Sequence, residues 1–129
     1  VHCDSTDVCY GDIPNSMSEM TNLELLDLKD NYLSGLPDNI SALTNLTHLK
    51  LRYNQITGPI PDDLFTLDKL KWLDLSRNRF TGFINNSICN QVENNLDRIY
   101  FTDNRLCPDY PDCLNISQIG VQDTDGCSD

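Results

Sequence analysis

Basic residues are scarce in this chain: nine Lys and Arg stand against 20 Asp and Glu in 129 residues, a formal charge of −11. That balance opposes general affinity for nucleic acid or anionic lipid unless the few cations are gathered in one place. Histidine is scarcer still. With only His2 and His48, and no C-x-x-C pair, the cysteines read as disulfides rather than as zinc ligands. Long apolar runs are missing, so no segment crosses a bilayer as a helix. An initiator Met and a signal-like start are missing too, and the chain reads as a mature protein or an excised domain. At this length it fits one modest domain, without room for an elaborate buried catalytic cavity beside its core.

What is present begins with six cysteines, Cys3 and Cys9 at the start and Cys89, Cys107, Cys113 and Cys127 in the last third. They point to an oxidising compartment. The sequons at Asn39, Asn45, Asn85 and Asn115 are glycan acceptors if a eukaryote makes the protein.

The strongest signal is a repeat. Leu23, Leu26, Leu28 and Asn31 return as Leu46, Leu49, Leu51 and Asn54, then as Leu70, Leu73, Leu75 and Asn78, then as Leu96, Ile99, Phe101 and Asn104. Each block reads L-x-x-L-x-L-x-x-N, and the Asn-to-Asn steps are 23, 24 and 26 residues. The trailing halves recur as "LSGLP" (33–37), "ITGPIP" (56–61) and "FTGFIN" (80–85), with "YGDIP" (10–14) as an orphan half. In the short strand of each block the apolar residues point inward and the intervening residue outward. Three residues cannot bury that apolar side alone, so the units stack into one continuous core. Asn at the bend suits a ladder of side chain to backbone hydrogen bonds. The Gly that follows and the Pro after it predict an extended return path rather than a helical one.

At these residues the chain resembles the leucine-rich repeat family, in its plant-type class with L-x-G-x-I-P in the second half of each unit. The resemblance covers roughly residues 10–106. It implies a solenoid: a short right-handed arc with a parallel β-sheet on its concave face, an extended or irregular convex side, and disulfide caps. The expected organisation is a single domain over 1–129, with an N-terminal cap and half repeat (1–22), about four repeats (23–106) and a C-terminal cap (107–129). "CPDYPDC" at 107–113 is similar to the cysteine-bounded caps of extracellular members. Asn85 replaces the motif Pro, and two extra residues follow near Cys89. On this resemblance Cys3 is paired with Cys9 and Cys107 with Cys113, leaving Cys89 for Cys127. The sequence itself leaves the connectivity open.

Register then locates the chemistry. Counting from each motif Asn, the positions seven, six, four, two and one before it and one after it fall on the strand face. Those 24 positions hold eight of the nine basic residues, all but Lys69, with six acidic ones, a local charge of +2. The remainder carries −13. The only Trp and three of the five Tyr join the cations. Outward strand positions need polar side chains in any case, and Lys or Arg stems cover apolar surface well. That explains charge but not its sorting by sign. Exposed aromatics beside Arg are also the types enriched at binding hot spots. The expected ligand-binding patch is His48, Lys50, Arg52, Tyr53, Trp72, Asp74, Arg77, Arg98 and Tyr100, with Glu24, Asp27 and Asp30 forming an acidic end.

An enzyme is the rival class. His48, Asp74 and Ser76 share the face and can be drawn as a triad, but an open sheet neither excludes water nor supplies an oxyanion hole. No G-x-S-x-G, H-E-x-x-H, phosphate loop or dinucleotide fingerprint occurs. Ser34, Thr57 and Thr81 form a small hydroxyl column before each Gly, and some plant-type members bind ice through a repetitive face. Three rungs of mixed Ser and Thr more often cap turns, and that reading is preferred. Asp123 and Asp125 offer two carboxylates where calcium takes roughly six to eight oxygen ligands. The reading is therefore a non-enzymatic extracellular recognition or adhesion module, with no cofactor and no metal. Its partner is a protein or peptide, acidic in character, or an anionic glycan, not nucleic acid and not a membrane interior. A place within a larger secreted or surface protein fits. The alternatives are an ice-binding repeat protein and, by resemblance, an inhibitor of a cell-wall-degrading enzyme.

Overall fold

The computed structural model describes residues 2–3, 5–6 and 8–128, with 2 and 3 as backbone only. A strand β1 (His2–Cys3) lies antiparallel to β2 (Cys9–Asp12). Each coil then contributes one strand on either side of its motif Asn: β3 (Leu25–Asp27) and β4 (Tyr32–Gly35), β5 (His48–Lys50) and β6 (Thr57–Pro59), β7 (Trp72–Asp74) and β8 (Arg79–Gly82). A helix α1 (Ile88–Asn94) precedes β9 (Arg98–Tyr100) and β10 (Arg105–Leu106), and α2 (Ile116–Ile119) follows.

The strands before each Asn form the concave, parallel sheet β3-β5-β7-β9. Its register is in step with the repeat, Leu26 beside Leu49, Leu73 and Ile99 in turn. These side chains meet Leu46, Leu51, Leu70, Leu75, Leu96 and Phe101 in one core, all of them buried. Complete burial of a Leu, Ile or Phe side chain is worth about 1.5–3 kcal/mol, so the stacked column carries the fold. Leu23 and Leu28, in the coil whose strand forms the sheet's edge, are only partly covered.

The strands after each Asn form a flanking sheet in two parts, β1-β2-β4 and β6-β8-β10. Between the two sheets the Asn side chains act as predicted. Asn54 accepts from the Leu33 N–H and donates to the Leu28 and Leu51 carbonyls, all at 3.0 Å. Asn78 repeats this one coil on, accepting from Ile56 N–H at 3.1 Å and donating to Leu51 O at 2.9 Å. Each Asn thereby serves its own coil and the one before it.

The return path is extended through the flanking strands, as expected, and then closes through 3-10 turns at Asn15–Glu19, Ile40–Ala42 and Asp62–Thr66. Pro14 (φ −67°) and Pro61 (φ −61°) cap the first and third of these turns. At these two positions the motif proline therefore starts a helical turn, because it lacks only an N–H that the first turn leaves unpaired anyway, whereas Asn39 caps the second turn. Where Asn85 replaces Pro, the longer coil has room for α1. Its buried Gln91 donates to the Leu64 and Leu67 carbonyls at 3.2 and 2.9 Å.

The cap disulfides differ from the expected pairing. Cys89 joins Cys113 and Cys107 joins Cys127, with Cα–Cα distances of 5.7 and 5.6 Å. Neither Cys107–Cys113 nor Cys89–Cys127 forms. Cys89 and Cys113 are 24 residues apart, one coil of the solenoid, so they stack on neighbouring coils. "CPDYPDC" does not close on itself. Its Cys107 N–H extends the flanking ladder to Gly82 O at 2.8 Å, and the segment runs on as the next return path. The backbone register sets Cys3 opposite Cys9, and Cys9 is disulfide-bonded. The side chain of Cys3, and with it the Cys3–Cys9 pairing, lies outside the described residues.

Candidate functional site

The outward residues of β5, β7 and β9 form one aligned patch. Register sets His48 beside Trp72 and Trp72 beside Arg98, then Lys50 beside Asp74 and Asp74 beside Tyr100. Trp72 is the centre of the group. Its ring lies 5.9 Å from His48 and 6.3 Å from Tyr100, both tilted, with Lys50 Nζ 4.0 Å and the Arg98 guanidinium 4.7 Å from its centroid. Each such cation–π contact is worth about 0.5–1 kcal/mol at an exposed site. Two cations thus lie close to the one indole, and neither forms an ion pair among the described residues. The indole is only partly exposed, and its Nε1–H is buried without an acceptor among the described residues.

Arg52, Tyr53 and Arg77 come from the bend after the strands and are exposed. The Arg77 guanidinium lies 5.3 Å from the Tyr53 ring and 3.6 Å from the Asp103 carboxylate. Asp74 departs from expectation. Its carboxylate turns back to accept from the Ser76 N–H at 3.0 Å and the Ser76 hydroxyl at 2.5 Å, and both residues are buried. Asp74 therefore shapes the bend and offers little to a ligand. The Ser76 hydroxyl is spent on Asp74, and His48 Nδ1 faces the Thr47 hydroxyl at 2.9 Å, so no Ser–His–Asp relay is assembled. Tyr32, Arg79 and Arg105, one residue beyond the motif Asn, open β4, β8 and β10 and belong to the flanking sheet. The turn at Asn turns them out of the concave surface.

The hydroxyl column is also less regular than its sequence. In the flanking sheet Thr57 pairs with Arg79, and Thr81 pairs with Pro59 and Arg105. Register is offset by two residues per coil, which interleaves guanidinium groups among the threonines. Ser34 is bonded to the Asp12 carboxylate at 2.9 Å. In the cap, Asp123 accepts from the Asp125 N–H at 3.1 Å, a local turn.

Two family models, both described as leucine-rich repeat, match residues 12–56 and 69–91. A search of curated proteins returned no sequence match. Among solved structures, the plant peptide hormone receptor RGFR1 in complex with RGF2 is 32% identical over 83% of this chain, with a TM-score of 0.77. The ectodomain of the Arabidopsis receptor kinase HAESA, bound to an extended IDA peptide hormone, is 32% identical over 91% of the chain, with a TM-score of 0.79. A plant ice-binding protein is 30% identical over 83%, with a TM-score of 0.71. The chain spans only 17% and 20% of the two receptor chains, and 38% of the ice-binding one. Motif spacing, a sheet in step with the repeat, the Asn ladder and these matches agree: the chain belongs to the leucine-rich repeat family, in its plant type.

Proposed function

We propose that this chain, one domain with caps at 1–22 and 107–129 around the repeats, is a non-enzymatic extracellular recognition module. Its concave face takes an acidic peptide or protein segment, or an anionic glycan. The observation that carries this is Trp72, with Lys50 and Arg98 at 4.0 and 4.7 Å from its ring centroid and His48 and Tyr100 beside it. An apolar anchor under two cations suits a ligand that brings carboxylates or sulfates to an aromatic floor, with further guanidinium groups from Arg52 and Arg77 at the bend. That two receptors of the same fold are solved with peptide hormones supports a peptide as ligand. The disulfides support a secreted or cell-surface setting. No helix among the described residues is long and apolar enough to cross a membrane.

Isothermal titration tests the reading, with hits drawn from an array of acidic peptides and of uronate-bearing and sulfated oligosaccharides. Trp72→Ala and Arg98→Ala should each weaken binding about tenfold to thirtyfold at unchanged circular dichroism, and affinity should fall as salt rises. Wild-type affinity in both variants would place the ligand elsewhere.

A further inference from the structure

Four consecutive coils hold the residue just before the motif Asn in left-handed backbone: Asp30 (φ 60°), Tyr53 (65°), Arg77 (54°) and Asp103 (59°). This conformation costs L residues roughly 1–2 kcal/mol, least for Asn and Asp. The stack imposes it, and the four side chains leave the backbone at the same corner of successive coils. Within that column Arg77 is bracketed, by the Asp103 carboxylate at 3.6 Å and by the Tyr53 ring at 5.3 Å. The protein thus already holds one guanidinium between a carboxylate and a tyrosine.

Tyr53 also belongs to a second such pairing, with Asp30 of the preceding coil. Asp30 and Tyr53 line a recess of about 210 Å³ together with Val8, Asn31 and Tyr32. No Lys or Arg lines it, and Asp30 makes no ion pair among the described residues. The Tyr32 ring is stacked on Tyr10 at 5.5 Å and 10°, which fixes one wall, while Tyr32 and Tyr53 stay 50% and 53% exposed. Two exposed rings beside an unpaired carboxylate attract a cation through the ring quadrupole and Coulomb's law together.

We propose that this recess is a second ligand site, one that takes the guanidinium of an arginine side chain presented by a partner protein or peptide. The volume lies below the roughly 300–1,000 Å³ of small-molecule pockets and suits one side chain. Guanidinium is favoured over ammonium because its plane stacks on a ring while its edge donates to a carboxylate. Trp72 does not line the site, which shares with the cationic patch only Tyr53, whose ring also meets Arg77 at 5.3 Å. It lies in the first coil, whose strand carries Asp27 paired with Lys29 at 3.7 Å, and it selects a cation through Asp30. Neither reading depends on the other.

The test is NMR titration of the whole chain, carrying 13C-labelled tyrosine, with N-acetyl-arginine amide. Saturable shifts of the Tyr32 and Tyr53 rings are expected, with a weaker response to N-acetyl-lysine amide. Asp30→Asn, which keeps a residue tolerant of left-handed backbone, should weaken binding about tenfold, as one lost ion pair with a guanidinium would. Tyr53→Phe should retain it, and Trp72→Ala should leave it unchanged. Shifts that do not saturate, an undiminished response in Asp30→Asn, or equal response to the lysine derivative would each overturn the assignment. Loss on Trp72→Ala would show that the two sites are one.

Discussion

Gln122 stands on Asn104 as the next rung of the asparagine ladder. The two are joined by a parallel bridge. Asn104 accepts from Phe80 N–H at 3.0 Å and donates to Leu75 O and Phe101 O at 2.8 and 2.9 Å. Gln122 does the same one coil on, accepting from Leu106 N–H at 3.0 Å and donating to Phe101 O and Ile119 O at 2.7 and 2.8 Å. Gln122→Ala removes three bonds from a partly buried site, and urea unfolding should show a loss of about 2–3 kcal/mol. A loss under about 0.5 kcal/mol would mean that water replaces the rung.

The cap disulfides carry a separate prediction. Peptide mapping without reduction should find Cys89 linked to Cys113 and Cys107 linked to Cys127. Replacing Cys89 and Cys113 together by Ala opens a loop with a sequence separation of 24. By chain entropy this should cost about 3 kcal/mol in chemical denaturation.

Gly120 is the position least tolerant of a side chain. Its backbone is left-handed in φ, at 64° with ψ −155°, a region open essentially to Gly alone. An added Cβ would also lie 2.8 Å from Thr102 Cα and closer still to the Thr102 side chain. Gly120→Ala should cost about 3 kcal/mol and lower Tm by about 10 °C in a thermal melt. A shift of a degree or two would show that the segment after α2 moves aside freely.

Burial pushes the Tyr110 phenol above its usual pKa, and its hydroxyl donates to Leu106 O at 3.2 Å. The sign follows from proton linkage. Below about pH 10 the phenol is protonated in both states. Above that, the unfolded chain loses the proton first, so stability falls with rising pH until the folded pKa is passed. Tyr110→Phe should flatten this alkaline limb of the urea midpoint against pH, and an identical limb in the variant would assign the loss to other groups.

Most of the scaffold was legible because it is periodic. A spacing repeated four times states both the strand face and the ladder, and the coordinates reproduce each. What escaped was either local or periodic with the wrong residue types. Leu114, Ser117, Ile119 and Gln122 do keep the repeat spacing, but Ser in place of Leu and Gln in place of Asn hid a fifth, abbreviated coil. The disulfide register was readable in principle, since residues one period apart stack. The cap resemblance paired neighbours in sequence instead. Strand position alone puts Asp74 outward, and nothing in the alternation shows a carboxylate folding back onto Ser76. The Asp30–Tyr53 recess depends on backbone handedness at the bend, which no residue type announces when Asp, Tyr and Arg all adopt it.

Trp72 has one more consequence, an optical one. It is the chain's sole indole, and its emission reports a single place, the centre of the cationic patch. Excited indole shifts charge from its five-membered ring toward its six-membered ring, so positive charges 4.0 and 4.7 Å from its centroid tune its colour. A bound anion that draws Lys50 or Arg98 aside would change that colour. The unlabelled protein thus carries its own reporter of occupancy.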